Sequence, residues 1–333
     1  MSYRGAPFTG VSGLFPRDDE VLAYLEDYSK DILPAIRLNT LIKRIYKLDQ
    51  TWIVESATVS RPSKIEIERY DAICDCSGHY TQPFLPYIKD LWRFKGRKLH
   101  SKWYRTPDSF EGHDVLIIGN NFSGFDLARL IATHFMSRKS QNTVYLSARH
   151  PYKTGADPIE GASWAAQIQQ VSAIECTTEN EVLLSDGKRI TVDTIIFATG
   201  DAVYPDGGLQ VHSLDAEYQT FFSPDPTLAF VCLNRLVVPF PLAQVQAHAI
   251  GRYWAGQNWP LQHSTTLGED PRLHTYGFPK DFDVADALLR AAGEGQIREG
   301  EEILADGSFP ATARWRREMR PLCSILRKQE LGY

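Results

Sequence analysis

The sequence predicts an α/β fold, and three observations carry that reading. DVLIIGN (114–120) is a continuous apolar run of strand length, SGFDLARLIATHF (123–135) sets apolar residues at helical spacing, and NTVYLSARH (142–150) reads as a strand again. Strand, glycine turn, helix, strand is the unit from which parallel sheets are built.

The other elements follow in order. Val21, Leu22, Tyr24, Leu25 and Tyr28 recur at helical spacing behind Asp18 and Asp19, which suit a first turn, and Pro34 closes the segment. IRLNT (36–40) and TWIVES (51–56) read as short strands, and RYDAICDCSGH (69–79) as a buried strand ending in a glycine turn. TQPFLPYIKDLWRFKG (81–96) has two prolines and no period, which marks a connector between lobes. EVLLSDG (181–187) reads as a hairpin, VDTIIFATG (192–200) as a strand returning to the first lobe, TLAFVCL (227–233) as a strand and PLAQVQAHAIGRYWAG (241–256) as a helix. The pattern describes two Rossmann-like halves.

A length of 333 residues accommodates roughly two domains, and 43% hydrophobic with 23% charged residues places the chain among globular proteins. A net charge of −5 argues against nucleic-acid binding through a basic field, so a small-molecule substrate is expected. Five scattered cysteines make no disulfide framework, MSYRGAPFTG has no signal-like apolar run, and no stretch approaches the length of a membrane span; the expected location is cytoplasmic. Nine histidines show no ligand spacing, so no metal is expected. Residues 313–333 carry six basic and two acidic residues, read as a solvated face rather than a site for an anionic partner.

Gly119, Asn120, Asn121, Phe122, Ser123 and Gly124 occupy the strand-to-helix turn. In a G-x-G-x-x-G turn the first glycine bends tightly, the second lets backbone approach a pyrophosphate and the third lets the helix pack closely. Asn121 replaces the second; the residue type tolerates positive φ, so the turn is expected to survive with less room beside the phosphate. Arg149 follows the next strand, where a basic residue suits the 2′-phosphate of NADP.

Phe94, Gly96 and His100 form F-x-G-x-x-x-H, for which this composition gives a chance expectation of about 0.03. With SGHY (77–80), the S-G-x-D of Ser123, Gly124 and Asp126, and ATG (198–200), the chain resembles the flavin-containing monooxygenases and their Baeyer-Villiger and N-hydroxylating relatives, from about Phe15 to Gly256. The resemblance implies an NADP domain over 97–200 inserted into an FAD domain made of 1–96 and 201–333. It implies FAD and NADP as cofactors, with NADPH reducing the flavin, O2 adding to it, and a soft nitrogen or sulfur, or a ketone, taking one oxygen atom. The cofactor carries such chemistry, so no catalytic side chain is expected. The cofactor-binding residues it carries over are the turn from Gly119 to Gly124, Arg149, and Gly78, Thr199, Gly200 and Asp201; His100 either touches the nicotinamide ribose or ties the lobes together.

Family members open with a strand, a G-x-G-x-x-G turn and a helix that hold the FAD pyrophosphate; MSYRGAPF resembles a segment that follows that motif, and the family's flavin-side asparagine is absent too. An incomplete FAD domain is therefore expected, with an open sheet edge and either a homo-oligomer or a second chain completing the FAD site. Asp201 stands where the family has tyrosine or phenylalanine, and Gln244 where a glutamate commonly precedes the Gln246–Ala247 pair. Cys74 and Cys76 share one face of a strand and read as buried core thiols rather than a metal or redox pair. The aromatic, aperiodic stretches 205–222 and 259–282 are substrate-channel candidates. Beside the monooxygenase stand two other readings: a non-catalytic NADP-binding or partner-binding module, and an NADPH-dependent reductase.

Overall fold

The computed structural model describes residues 2–78, 83–148, 163–200, 225–234, 237–257 and 276–331. The chain divides into two compact units, Met1–Gly78 with Pro205–Cys323 and His79–Tyr204 with Ser324–Tyr333.

The first unit begins with helix α1 (Asp18–Ser29), whose first turn is acidic, as the helix dipole favours, and whose preceding residue Arg17 donates its amide to the Glu20 carboxylate at 2.7 Å. Tyr24 and Tyr28, four apart on one helix face, stack with Tyr3 and Phe8; Tyr3–Tyr28 and Phe8–Tyr24 each have ring centroids 3.9 Å apart. Strands β1 (Thr40–Leu48), β2 (Thr51–Thr58) and β3 (Glu66–Tyr70) form an antiparallel sheet, with Asp49 in the left-handed region at the β1–β2 turn. The strand expected over 36–40 starts only at Thr40, because Leu33–Ala35 form a 3₁₀ turn and Asn39 reverses the chain at φ 53°. The single buried strand expected over 69–79 is also broken. Tyr70 ends β3, and β4 (Ile73–Asp75) is three residues long, pairs in parallel with Leu228–Phe230, and leaves Cys74 and Cys76 exposed rather than in a core.

The second unit is built on a five-stranded parallel sheet. Strands β5 (Arg97–His100) and β6 (Val115–Ile118) are followed by helix α2 (Phe122–Ser137), then β7 (Val144–Ser147), β8 (Ile168–Val171), β9 (Ile174–Thr177), β10 (Glu181–Leu184), β11 (Arg189–Thr191) and β12 (Thr194–Phe197). The parallel order is β5-β12-β6-β7-β8, and β11-β10-β9 form a separate three-stranded sheet. Its central strands are continuously apolar because both faces are covered. On one face Phe125, Leu127, Ile131 and Phe135 of α2 pack against Val115, Ile117, Val144 and Ile196; on the other, Leu116, Ile195 and Phe197 meet Phe94, Val182 and Leu184. Each such side chain contributes about 1.5–3 kcal/mol by leaving water.

Returning to the first unit, β13 (Leu228–Phe230) precedes helices α3 (Pro239–Trp254), α4 (Lys280–Ala291) and α5 (Arg314–Met319), and α6 (Cys323–Leu331) ends the described chain. Leu242, Val245, Ala249 and Ile250 of α3 pack with Ala285, Leu288 and Leu289 of α4. Within the stretch read as irregular, 280–282 are already helical.

The basic tail is largely exposed, as a solvated face is, and four of its arginines are paired with carboxylates of the chain. Arg316 pairs with Glu301, Arg317 with Asp286 at 2.7 Å and Asp283 at 2.8 Å, Arg314 with Glu318 at 2.7 Å, and Arg327 with Asp126 at 2.7 Å. Among the described residues no helix is long and apolar enough to cross a membrane, and all five cysteines are free thiols.

Candidate dinucleotide site

The turn after β6 owes its shape to two glycines. Gly119 sits at φ 105°, and a Cβ there would lie 2.4 Å from the Ala198 carbonyl oxygen. A Cβ on Gly124 would lie 1.7 Å from the Gly119 oxygen. The first turn of α2 therefore rests directly on the carboxyl ends of β6 and β12, a distance only glycine permits at both positions. Gly119 donates its amide to the Ser147 carbonyl at 2.9 Å, tying the turn to β7.

Asn121 does not use the positive φ expected of it. At φ −80°, ψ −174° it is the N-cap of α2; its Oδ1 accepts from the Phe122 amide at 2.9 Å, and its carbonyl accepts from the Phe125 amide at 3.0 Å. Asparagine suits the place through capping rather than through left-handed backbone. Phe122 and Ser123 are exposed, Asn120 is half-buried, and the positive end of α2 faces the carboxyl edge of the sheet, the arrangement that binds phosphate.

One turn further along α2, Asp126 accepts from Arg327 Nη2 with both carboxylate oxygens at 2.7 Å, so the acidic residue of S-G-x-D is neutralised from α6.

His100 lies at the end of β5 and is 2% exposed. Its Nε2 meets the Gly200 carbonyl at 2.9 Å, and its Nδ1 accepts from the Lys102 amide at 3.2 Å, which assigns the proton to Nε2. Both ring nitrogens are thereby engaged within the protein. Gly200, at φ 78°, also accepts from the Phe84 amide at 3.0 Å, while the Thr199 hydroxyl donates to the Phe84 carbonyl. A Cβ on Gly96 would sit 2.4 Å from the Phe94 ring and 2.5 Å from the Asp193 carbonyl. The F-x-G-x-x-x-H spacing thus places a core ring, a close approach and a strand-end hydrogen bond.

The second unit holds Gly119 to Gly124, His100, Thr199 and Gly200; Gly78, at φ 67°, belongs to the first. Arg149, Asp201, the candidate stretch 205–222 and the part 259–275 of the candidate stretch 259–282 lie outside the described residues. Gln244 is buried and pairs with both backbone groups of Arg4, Oε1 accepting at 2.7 Å and Nε2 donating at 3.1 Å. Sequence reasoning missed Phe84, Arg327 and the Gln244–Arg4 pairing, since each contact joins residues more than a hundred positions apart and no local pattern signals it. Asp108, Glu111 and His134 have metal-ligand spacing, yet Arg138 lies 3.4 Å from Glu111 and supplies the positive charge there.

The residues present fit the phosphates of a dinucleotide at α2. Among the described residues no second glycine turn of this kind joins a strand to a helix in the first unit, where β4 and β13 form a two-stranded sheet, so these residues do not by themselves form a flavin pyrophosphate cradle.

Residues 1–153 match the family model described as flavin-binding monooxygenase-like. The chain is 28% identical to flavin-containing monooxygenase FMO GS-OX-like 4 of Arabidopsis thaliana over 96% of its own length and 73% of that protein's. It is 31% identical to FMO GS-OX3 of the same plant, over 73% of the chain and 53% of the relative. In fold it resembles S-allyl-L-cysteine S-oxygenase from Allium sativum, with a TM-score of 0.72 at 23% identity over 99% of this chain and 76% of that one. It also resembles cyclohexanone monooxygenase from Rhodococcus bound to NADP+, with a TM-score of 0.54 at 14% identity over 72% and 69%. The parallel sheet and its glycine turn agree with these likenesses: residues 1–153 match the flavin-binding monooxygenase-like family, and the chain along nearly its whole length is similar to flavin-containing monooxygenases, which are oxidoreductases.

Proposed function

We propose that this chain binds NADP at the amino end of α2 and serves an NADPH- and FAD-dependent monooxygenase reaction that places one oxygen atom of O2 on a small molecule. The observation that carries the proposal is the Gly119–Gly124 turn, where a Cβ at either end would collide with backbone. First-turn amides of α2 beyond the Phe122 amide, which Asn121 caps, hold the pyrophosphate, and Arg149, after β7, takes the 2′-phosphate. His100, through Gly200, fixes the ends of β5 and β12 beside that turn. When bound, flavin supplies the oxygen activation; this chain's residues bind and align the nicotinamide cofactor and exclude water around it. Soft sulfur is the first substrate class to test, because the S-oxygenase resemblance spans nearly the whole chain. Five free thiols fit a reducing compartment such as the cytosol.

The deciding experiment incubates the full chain with FAD, desalts it and records the visible spectrum, then follows NADPH oxidation in air with an organic sulfide, a tertiary amine and a cyclic ketone. Retained flavin with substrate-dependent NADPH use and an oxygenated product supports the proposal. A second reading, an NADP-binding module whose flavin is held by a partner chain or a second copy, is favoured by the two-stranded β4–β13 sheet. NADPH affinity in a colourless protein is its signature. NADPH use without an oxygenated product, persisting without air, marks a reductase.

A further inference from the structure

Cys74 lies in the middle of β4 and Cys76 one residue beyond its end, on the same side of the extended backbone, and their Sγ atoms are 3.7 Å apart. Both side chains are exposed, whereas Cys176, Cys232 and Cys323 are half-buried. The last ladder bond of this strand is donated by the Val231 amide to the Asp75 carbonyl at 3.0 Å, so Cys76 stands just past the segment that the pairing with β13 holds in place. Two extended residues span about 6.6 Å, inside the upper limit for bridged cysteines of about 6.8 Å, so a small pucker at Cys76 closes the gap. We propose that Cys74 and Cys76 are a reversible dithiol that a hydroperoxide oxidises to a disulfide within one strand.

The charge state of the pair supports the direction of attack. Hydrogen bonding from the Cys74 thiol brings Cys76 down to about 7, and the same contact pushes Cys74 up. Cys76 is the attacking thiolate and Cys74 the resolving thiol. The Cys76 sulfur attacks one peroxide oxygen, the O–O bond breaks, hydroxide leaves, and a sulfenic acid forms. The Cys74 sulfur then attacks that sulfur, the S–O bond breaks, and water carries away the oxygen with the thiol proton. The two sulfurs lose two electrons in total, and hydrogen peroxide is reduced to one water and one hydroxide, the hydroxide becoming water with the proton that Cys76 released on ionising. The pair belongs to the first unit, and the reaction requires neither flavin nor NADPH.

The test treats the reduced full chain with hydrogen peroxide, alkylates the remaining thiols and digests with trypsin. The fragment Tyr70–Lys89 contains both cysteines. It is expected unalkylated and lighter by two hydrogens, and dithiothreitol restores both alkylation sites. In Cys74→Ser, Cys76 is expected to accumulate as a sulfenic acid that dimedone captures. Double alkylation of this fragment after peroxide, or a bridge from Cys76 to the Cys232 fragment, overturns the proposal. Neither outcome depends on whether the chain proves to be a monooxygenase.

Discussion

His100 donates from Nε2 to the carbonyl of Gly200 at 2.9 Å, across one hundred positions of sequence. His100 ends β5, and Gly200 lies three residues past the end of the neighbouring parallel strand β12, in a register that sets Phe197 beside His100 and Ile118. Gly200 turns at positive φ just past that register, so its carbonyl needs a donor from outside the ladder. The imidazole and the Phe84 amide are its two donors, and the other ring nitrogen is occupied by Lys102.

Replacing His100 with alanine is therefore expected to lower stability by about 1–3 kcal/mol, because a ring 2% exposed is removed from its packing and the Gly200 carbonyl is left with only the Phe84 amide. Thermal unfolding together with NADPH titration checks this. A lower melting temperature at unchanged NADPH affinity is the expected result; unchanged melting with weakened NADPH binding would assign the ring to the cofactor instead.

Gly124→Ala is expected to abolish NADPH binding and cost roughly 3 kcal/mol or more, since its Cβ would lie 1.7 Å from the Gly119 oxygen and the helix must lift off the sheet. Ser123→Ala, on an exposed side chain of the same turn, leaves melting unchanged. Calorimetric titration with NADPH and a thermal melt of both variants read the two effects separately.

Much of the second unit was legible because its signals are local. A continuous apolar strand, a glycine turn and an apolar helical stripe between 114 and 147 are dictated by burial on both sheet faces, and each survives in β6, α2 and β7. The first unit was less legible. IRLNT has the composition of a strand, but Asn39 spends its last position before the strand on a left-handed turn. Cys74 and Cys76 look like core residues by type and end exposed, because β4 pairs with one short strand, and among the described residues none covers the thiols. The arginines near the end read as a charged face since their partners, from Asp126 to Glu301, are remote in sequence.

Asp225 gives the first unit a pH-dependent anchor. Burial alone would raise its carboxyl, but the Lys47 ammonium at 2.6 Å and the Thr227 hydroxyl and amide outweigh that and hold it below the usual carboxylate range. A lowered folded pKa contributes stability above the unfolded value of about 3.9 and loses it as pH falls through the folded value. Asp225→Asn is expected to cost about 0.5–1.5 kcal/mol at pH 7, given partial exposure of the pair. Denaturant melts of both proteins should show that difference constant above about pH 5 and vanishing as the wild-type carboxyl protonates.

Cysteine labelling has its own pH profile. With Cys76 brought down to about 7 by the Cys74 thiol, its alkylation rate in limiting iodoacetamide should climb through neutral pH and level off above about 8, while Cys232, raised by burial, lags behind. Site-resolved mass spectrometry of short labelling pulses distinguishes the two. In Cys74→Ser, whose hydroxyl is a different donor, the rise should move to higher pH. Equal rates at Cys76 and Cys232 at pH 7 would contradict the asymmetry.

Arg327 and Asp126 connect α6 to the dinucleotide turn. Asp126 lies in the second turn of α2, and its carboxylate would repel a pyrophosphate at the helix start if Arg327 did not hold both of its oxygens at 2.7 Å. A unit charge four residues, or about 6 Å, along the helix from its start, at an effective dielectric between that of water and about 20, is worth roughly 0.7–3 kcal/mol to an anion there. Arg327→Ala is therefore expected to raise the Kd for NADPH by about threefold or more, with the larger effect at low salt. Removing the carboxylate as well, in Arg327→Ala with Asp126→Asn, should restore affinity, because the effect runs through the uncovered charge rather than through lost packing of α6. Titrations at two salt concentrations decide the matter: a double variant as weak as the single one would show that Arg327 acts by holding α6 in place.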